Sequence, residues 1–424
     1  MKQEVYFMDF LTRAYELQEE TIANRRHIHQ HAETGLDLPE TVAFVKDKLT
    51  EYGLAPTDCG HGVTATLGKG SPVLLLRADM DGLPIREDSG ESFSCTTGAM
   101  HACGHDFHAA MLLSAARMLK EEDASLAGTV KFMFQPAEET FQGAKDMIEN
   151  GILQNLPALL EDVRRAKDMI ENGILQNPKP DAALAFHVTT GHSPAGTYMY
   201  NASGTMMNSV DGFKITIHGQ GSHGACPHQG IDPINIGVHI YLGLQALIAR
   251  ESDPADCCVL TIGQFSAGEA ANIIPDTAVL QGTLRTGNPA AREKLMPRIR
   301  EISEKTAAVY NGSIEYQCLS AVPPLICAKD LTNEFVSYVK DLSIPDVTGY
   351  PDIAAPASED FALVAQQIPS TYIYLSAGYE DKRGDYPVHH PKALFNEKVC
   401  AIGSACYAAC AFRYLADHGS ISKE

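Results

Sequence analysis

The sequence predicts an α/β protein: a helix-covered, mixed but mostly parallel sheet, with a smaller α+β domain inserted into it. Three observations predict it. Several short apolar runs have no polar face, as strands buried on both sides do. These runs alternate with helical segments, the order that builds a largely parallel sheet. In the middle of the chain the strands instead alternate polar and apolar residues, as in a sheet with one open face. At 424 residues the chain exceeds one ordinary core, so two domains are expected.

Helical periodicity runs from about Phe7 to His31, and TVAFVKDKLTEY (41–52) reads as a second helix stopped at Gly53. VTATL (63–67) and the apolar run VLLLRADM (73–80) read as strands across a Gly/Pro turn. A helix over 106–120 precedes two further buried strands, TVKFMF (129–134) and AALAFHV (182–188). FKITIHG (213–219) alternates, a helix follows at 234–250, then strands at 258–265 and 277–285. A charged helix over 289–309 and the alternating SIEYQCL (313–319) complete a strand–helix–strand–strand–helix–strand unit. The chain then returns to a helix (330–342), an apolar strand TYIYLSA (371–377) and a last helix (397–416). The expected boundaries are 208–321 for the inserted domain, with 1–207 and 322–424 forming the larger one.

One repeat stands out. AKDMIENGILQN occurs at 144–155 and again, identically, at 166–177. A single repetition is not a solenoid. Both copies lie between two buried strands that one helix would connect. We read a tandem duplication, natural or engineered, that adds a surplus surface helix over 156–177; a new binding element is the alternative.

The formal net charge of −20 repels phosphate backbones and anionic lipid, so neither nucleic acid nor a membrane is an expected partner. The opening MKQEVYFMDFLTRAYELQEE lacks the apolar run of a secretory signal. No stretch approaches the roughly 20 apolar residues of a membrane span. The 11 cysteines are odd in number and scattered, with Cys257 and Cys258 adjacent, which is not a disulfide framework. A reducing cytoplasm is the expected location.

Three polar clusters fall where buried strands end: Asp79–Asp81, Glu138–Glu139 and His187. Ligands of open α/β sheets gather at such carboxyl ends. MHACGHDFH (100–108) adds one Cys and three His, the donors that Zn²⁺ and similar ions prefer. Alone, C-x-H reads more readily as a reduced core Cys beside a surface His. Here Gly104 and the following helix make a loop on which Cys103 and His105 can converge. In QPAEE (135–139) neighbouring side chains point in different directions, so one carboxylate can bind metal while the other meets a water.

Other histidines are more ambiguous. His27 and His31 in HIHQHAE have helical spacing, but lie in a helix with no strand end nearby and are expected to pack or cap. GQGSHGACPHQG (219–230) carries His223 and His228 among glycines; His223 could stabilise an oxyanion or be a turn histidine. NIIPD and GTLRT supply Asn272 and Arg285, and Arg285 could hold a carboxylate by a two-pronged bond. YPVHHPKALFNE offers His389 or His390. No G-x-S-x-G elbow, P-loop or dinucleotide glycine pattern is present, so serine-hydrolase and kinase chemistry lack support.

Taken in order, RRHIHQHAETG, LLLRADMDGLP, MHACGHDFH, FQPAEE, the FHV strand end, GQGSHGACPH, NIIPD, GTLRT, ASEDF and VHHP resemble one family. It is the amidohydrolase branch of the aminoacylase/carboxypeptidase-type metallopeptidases, with hippurate hydrolases, N-acyl-amino-acid amidohydrolases and indole-acetyl-amino-acid hydrolases. The resemblance covers nearly the whole chain. It implies two divalent ions per subunit, Mn²⁺ or Zn²⁺, with Co²⁺ or Ni²⁺ also suiting the donors. It implies Cys103, His105, Glu139, His187 and His389 as ligands, the last because the matching His lies two residues before the Pro. Glu138 is implied as general base and acid, Asp81 as a support behind the ligands, and His223 as the lid histidine that reaches the reacting carbonyl. Asn272 and Arg285 are implied to hold substrate.

The implied reaction is hydrolysis of the amide of an N-acyl-amino acid (N-acetyl, N-benzoyl or similar). The implied assembly is a homodimer or higher homo-oligomer through the inserted lid domain. A dipeptidase or aminopeptidase using the same centre is the rival activity, and a non-catalytic metal-binding scaffold the rival class. The 156–177 segment departs from the family pattern and leaves open which copy fills the usual helix slot.

Overall fold

The computed structural model describes residues 8–154 and 178–419. They form two compact units, one of residues up to 204 with 326–353 and 363 onward, the other of 205–325 with 354–362.

In the first unit the N-terminal periodicity resolves into two helices, α1 (Phe10–Glu16) and α2 (Gln18–Gln30), rather than one. The Asp9 carboxylate caps α1 by accepting the N–H groups of Leu11 and Thr12, and Leu17 ends it in a tight turn. α3 (Pro39–Glu51) starts on a proline, whose missing N–H costs nothing in a first turn. Then follow β1 (Thr57–Cys59), β2 (Gly62–Gly68), β3 (Val73–Asp79), α4 (His105–Glu121), β4 (Thr129–Gln135), α5 (Gly143–Glu149), β5 (Ala182–Thr189) and β6 (Tyr198–Tyr200). β3 and β4 are buried at every position, as their mainly apolar runs predict, and this burial includes the charged Arg77 and Lys131.

In the second unit the order is β7 (Val210–His218), β8 (Ser222–His223), α6 (Pro233–Glu251), β9 (Cys258–Ala267), β10 (Ile273–Ile274), β11 (Thr277–Thr286), α7 (Pro289–Val309) and β12 (Ser313–Val322). Four strands pair antiparallel in the order β9-β11-β7-β12. Phe213, Ile215 and Ile217 alternate onto one face and bury against Leu244, Leu247, Leu295 and Ile299 of the two helices. Both helices have a proline in the first turn behind a capping side chain, Asp232 for α6 and Asn288 for α7.

The first unit resumes with α8 (Lys329–Asp341), β13 (Gly349–Tyr350), β14 (Ser370–Ser376) and α9 (Val399–His418). Its sheet runs β1-β2-β4-β3-β5-β14-β6-β13. The central neighbours β4, β3, β5 and β14 are parallel, while β1, β2 and β6 pair antiparallel around them. The sheet is therefore mixed, with a parallel centre.

α9 corrects one expectation: by length and composition it could cross a membrane. It is instead a core helix, 89% buried over its most apolar stretch. Small residues let it approach α4 closely; a Cβ on Gly403 would lie 2.0 Å from Met111 Sδ. Its Tyr407 hydroxyl donates to the Arg77 carbonyl at 2.7 Å and accepts the Phe186 N–H at 3.0 Å, bonding it to β3 and β5.

Of the repeat, the first copy is described to Gln154 and the second lies outside the described residues, as does the surplus helix expected over 156–177. The first copy forms α5 and the turn after it, with Ala144, Met147, Ile152 and Leu153 buried. The wholly buried Lys131 ammonium donates to the carbonyls of Ile152 and, at 3.4 Å, Pro178.

Candidate metal centre

Three adjacent parallel strands bring the polar clusters of the first unit together. β4, β3 and β5 lie side by side, with Asp79 at the end of β3 in register with Gln135 at the end of β4. Beyond Gln135 the chain turns on Ala137, whose φ of +52° is rare for a residue with a side chain. The Ala137 carbonyl accepts the N–H groups of Gln142 and Gly143 at 3.1 and 3.2 Å, closing the turn that carries Glu138 and Glu139. Such strain persists where its surroundings over-determine it, often at functional sites.

Asp81 supplies part of that determination. Its Oδ1 accepts the Glu138 N–H at 3.0 Å and its Oδ2 the Glu139 N–H at 3.1 Å. The Asp81 carbonyl accepts from His105 Nδ1 at 2.8 Å. A carbonyl can only accept, so Nδ1 carries the proton and Nε2 presents a lone pair. His187 is oriented in the same way: its Nδ1 donates to the Val188 carbonyl at 2.7 Å, leaving Nε2 at 3.5 Å from Cys103 Sγ. Between Cys103 and His105, Gly104 has φ +87°, and a Cβ there would meet Val188 Cγ2 at 2.4 Å. Glycine alone lets this loop close onto β5.

His389 reaches the centre from the segment after β14. Its Nε2 lies 3.2 Å from Cys103 Sγ and 3.5 Å from Glu139 Oε1. Its backbone is left-handed at φ +64°, and its N–H donates to the Ala102 carbonyl at 2.8 Å. His390 points elsewhere, stacking on Tyr386 at 4.5 Å and accepting the Lys392 N–H on Nδ1.

The donor atoms of Cys103, His105 and His187 lie within 4.8 Å of one another, as do those of Cys103, Glu139 and His389, and those of His105, Glu138 and Glu139. These donors fit divalent cations. His105 Nε2 and Glu139 Oε1 are buried and make no hydrogen bond, which leaves two ligand-type atoms unsatisfied. Burial and the nearby carboxylates of Asp81 and Asp79 raise Glu139 to about 7. Burial pushes the Cys103 thiol well above its ordinary range. Burial also opposes a charged His105, but Asp79 and Cys103 outweigh it and draw that ring well above its ordinary value. Cations here would take the place of protons the centre otherwise holds.

The profile of Peptidase family M20/M25/M40 matches residues 75–413. The chain belongs to this family. An N-acetyl-L-cysteine deacetylase of Bacillus subtilis (strain 168) is 34% identical over 386 residues, 90% of this chain and 85% of the relative. The IAA-amino acid hydrolase ILR1-like 2 of Arabidopsis thaliana is 36% identical over 416 residues, 94% of this chain and 86% of the relative. The crystal structure of Bacillus subtilis YXEP, described as a dinuclear metal binding peptidase from the M20 family, superposes with a TM-score of 0.74 at 29% identity, covering 95% of this chain and 99% of that one. The protein is thus an M20-family enzyme of the amidohydrolase branch, catalysing metal-dependent amide hydrolysis.

The M20 chain's remaining expected residues lie in its second unit. His223 on β8 is in register with Ile273 on β10, and the Asn272 carbonyl accepts the Gly224 N–H at 2.8 Å. His223 Nδ1 accepts the Ala225 N–H at 3.1 Å, so its proton sits on Nε2, available to donate. Arg285, on β11, donates to the Ser358 hydroxyl at 2.8 Å.

In the first unit, His27 stacks on Phe44 at 4.1 Å, and His31 Nδ1 bonds the His27 carbonyl at 2.7 Å. The residue between them matters more. Buried His29 places Nδ1 at 2.8 Å from Asp106 and Nε2 at 3.1 Å from Glu87. Sequence reading also passed over His108, the third His of MHACGHDFH. Its spacing from His105 puts both on one helix face, a signal that was there to use.

Proposed function

We propose that this enzyme hydrolyses the amide bond of N-acyl-amino acids, with Cys103, His105, Glu139, His187 and His389 holding two divalent ions and Glu138 moving the proton. The observation that carries this reading is the double membership of Cys103. Its sulfur stands with His105 and His187 in one donor group and with Glu139 and His389 in another. These five residues would hold the two ions, with the Cys103 sulfur among the donors of both groups. The ions are Mn²⁺ or Zn²⁺, with Co²⁺ and Ni²⁺ as alternatives, since availability as well as affinity decides which is bound.

When bound, such ions polarise the scissile carbonyl and make a water nucleophilic near neutral pH. Glu138 takes the proton of the attacking water and gives it to the departing amine. Asp81 fixes the peptide from which Glu138 projects. His223 Nε2–H stabilises the oxyanion, where preorganised donors lower a barrier most. Asn272 and Arg285 hold the substrate, Arg285 by pairing its fork with the amino-acid carboxylate. The acyl–amino-acid class is supported by relatives named for acting on N-acetyl-L-cysteine and on IAA-amino acids.

A homodimer through the second unit accompanies this reading. Ile234, Val238, Tyr241 and Leu242 are exposed along one face of α6, and the edge strand β9 exposes Val259 and Phe265. A cytoplasmic location is supported by the cysteines, all eleven of them unpaired.

The test is a screen of N-acetyl- and N-benzoyl-amino acids against free dipeptides, on protein of measured metal content. Higher kcat/KM on the acylated compounds supports the proposal. Preference for free dipeptides would replace it with a dipeptidase.

A further inference from the structure

We propose that His108 is a positioning residue of the metal centre: one neutral imidazole that ties together three elements on which the centre is built. The proposal rests on the ligand set given above. His108 is fully buried on α4, one turn beyond His105. Its Nδ1 contacts Asp79 Oδ1, at the end of β3, at 2.5 Å. Its Nε2 accepts the backbone N–H of Val188, on β5, at 2.8 Å.

Because Nε2 accepts, the ring proton must sit on Nδ1 and be donated to Asp79. Each nitrogen therefore has one partner and one direction, and the ring cannot flip without breaking both bonds. The other Asp79 oxygen is held by Arg77 at 2.7 Å, so the acceptor is itself fixed.

The consequences reach the ligands directly. Val188 follows His187 and accepts the Nδ1 proton that orients the His187 ring. Asp79 lies two residues before Asp81, which grips Glu138 and Glu139. α4 begins with His105. The His108 ring also lies against two of the ligand rings, with centroids 4.5 Å from His187 and 5.3 Å from His105. Partners behind metal ligands are worth about 10–100-fold in metal affinity when lost.

Two near-isosteres divide the role. The amide nitrogen of Asn falls near the position of Nδ1, so His108→Asn keeps a donor for Asp79 and loses the acceptor for Val188. His108→Gln reaches the position of Nε2 and can accept from Val188, but loses the donor to Asp79. His108→Leu loses both.

The experiment titrates Zn²⁺ into each full-length apo-protein against a chromophoric chelator, with circular dichroism and thermal unfolding in parallel. The expected result is folded Asn and Gln variants that bind Zn²⁺ about 10–100-fold more weakly than wild type. His108→Leu should be weaker than either, and KM should hold near the wild-type value once metal is saturating. Wild-type Zn²⁺ affinity in the Asn and Gln variants would overturn the role of His108 and leave the ligand set standing. A wild-type protein that binds no Zn²⁺ would overturn the ligand set, and this proposal with it.

Discussion

Asp81 grips Glu138 by its backbone, not by its side chain: the carboxylate accepts the Glu138 N–H at 3.0 Å and, with its other oxygen, the neighbouring Glu139 N–H at 3.1 Å. One buried carboxylate thereby sets the direction of both glutamates.

Replacing Asp81 by Asn tests this grip. An amide keeps one acceptor and turns the other into a donor facing an N–H group. A buried N–H left unpaired costs about 1–3 kcal/mol. Asp81→Asn should therefore unfold at lower temperature and lose kcat far more than it raises KM. Wild-type kcat in a destabilised Asp81→Asn would show that the grip does not position Glu138.

How far the sequence led is clear from these two residues. Asp81 and Glu138 each follow a mainly apolar run, and a buried strand ending in a carboxylate is legible from pattern alone. That they meet depends on β3 lying beside β4 in parallel register, which the βαβ order implies. His108 was less legible. Its partners are Asp79, on a different strand, and the N–H of Val188, which no side-chain pattern announces. His29 was less legible still, because the i, i+4 pattern in HIHQHAE is that of His27 and His31, and the partners of His29 come from Asp106 and Glu87, far along the chain. The break at Leu17 and the association of residues 354–362 with the second unit also left no periodic signal, since neither lies inside a regular element.

His29 gives a pH dependence. Each of its ring nitrogens faces a carboxylate, which favours the doubly protonated ring, while the Arg25 guanidinium 3.4 Å from Nδ1 opposes it. Burial opposes that charge, but Asp106 and Glu87 outweigh it and hold the pKa above the ordinary 6.5. A raised folded-state value contributes stability that is fully present below the unfolded pKa and is lost as pH rises through the folded one. Stability should thus fall as pH rises from the ordinary value of 6.5 through the raised folded-state one. In His29→Gln that part of the slope should vanish, and stability at the lower pH should drop by on the order of 3 kcal/mol. Urea unfolding across that range checks both; an unchanged slope in the variant would show that His29 is not the titrating group.

The duplication gives a deletion. Lys131 donates to both Ile152, in the first copy, and Pro178, directly after the second, so the two ends of the intervening segment share one ammonium. Removing residues 156–177 joins Asn155 to Pro178 across a gap the fold already holds closed. Removing 144–165 would yield the same polypeptide, because the copies are identical. The shortened chain should fold with stability within about 1 kcal/mol of the full one, since loop length changes closure entropy only slowly. It should also retain its turnover. A shortened chain that does not fold, checked by circular dichroism and thermal unfolding, would show that the second copy carries part of the core.

The central claim is that Glu138 moves the proton in a centre whose metal is held by its neighbours. The most direct measurement pairs metal content with turnover in Glu138→Gln, using an N-acyl-amino acid that the wild type hydrolyses. The account predicts wild-type metal content and a kcat lowered by about 10²–10⁴-fold. Turnover near wild type in the metal-loaded variant would contradict it.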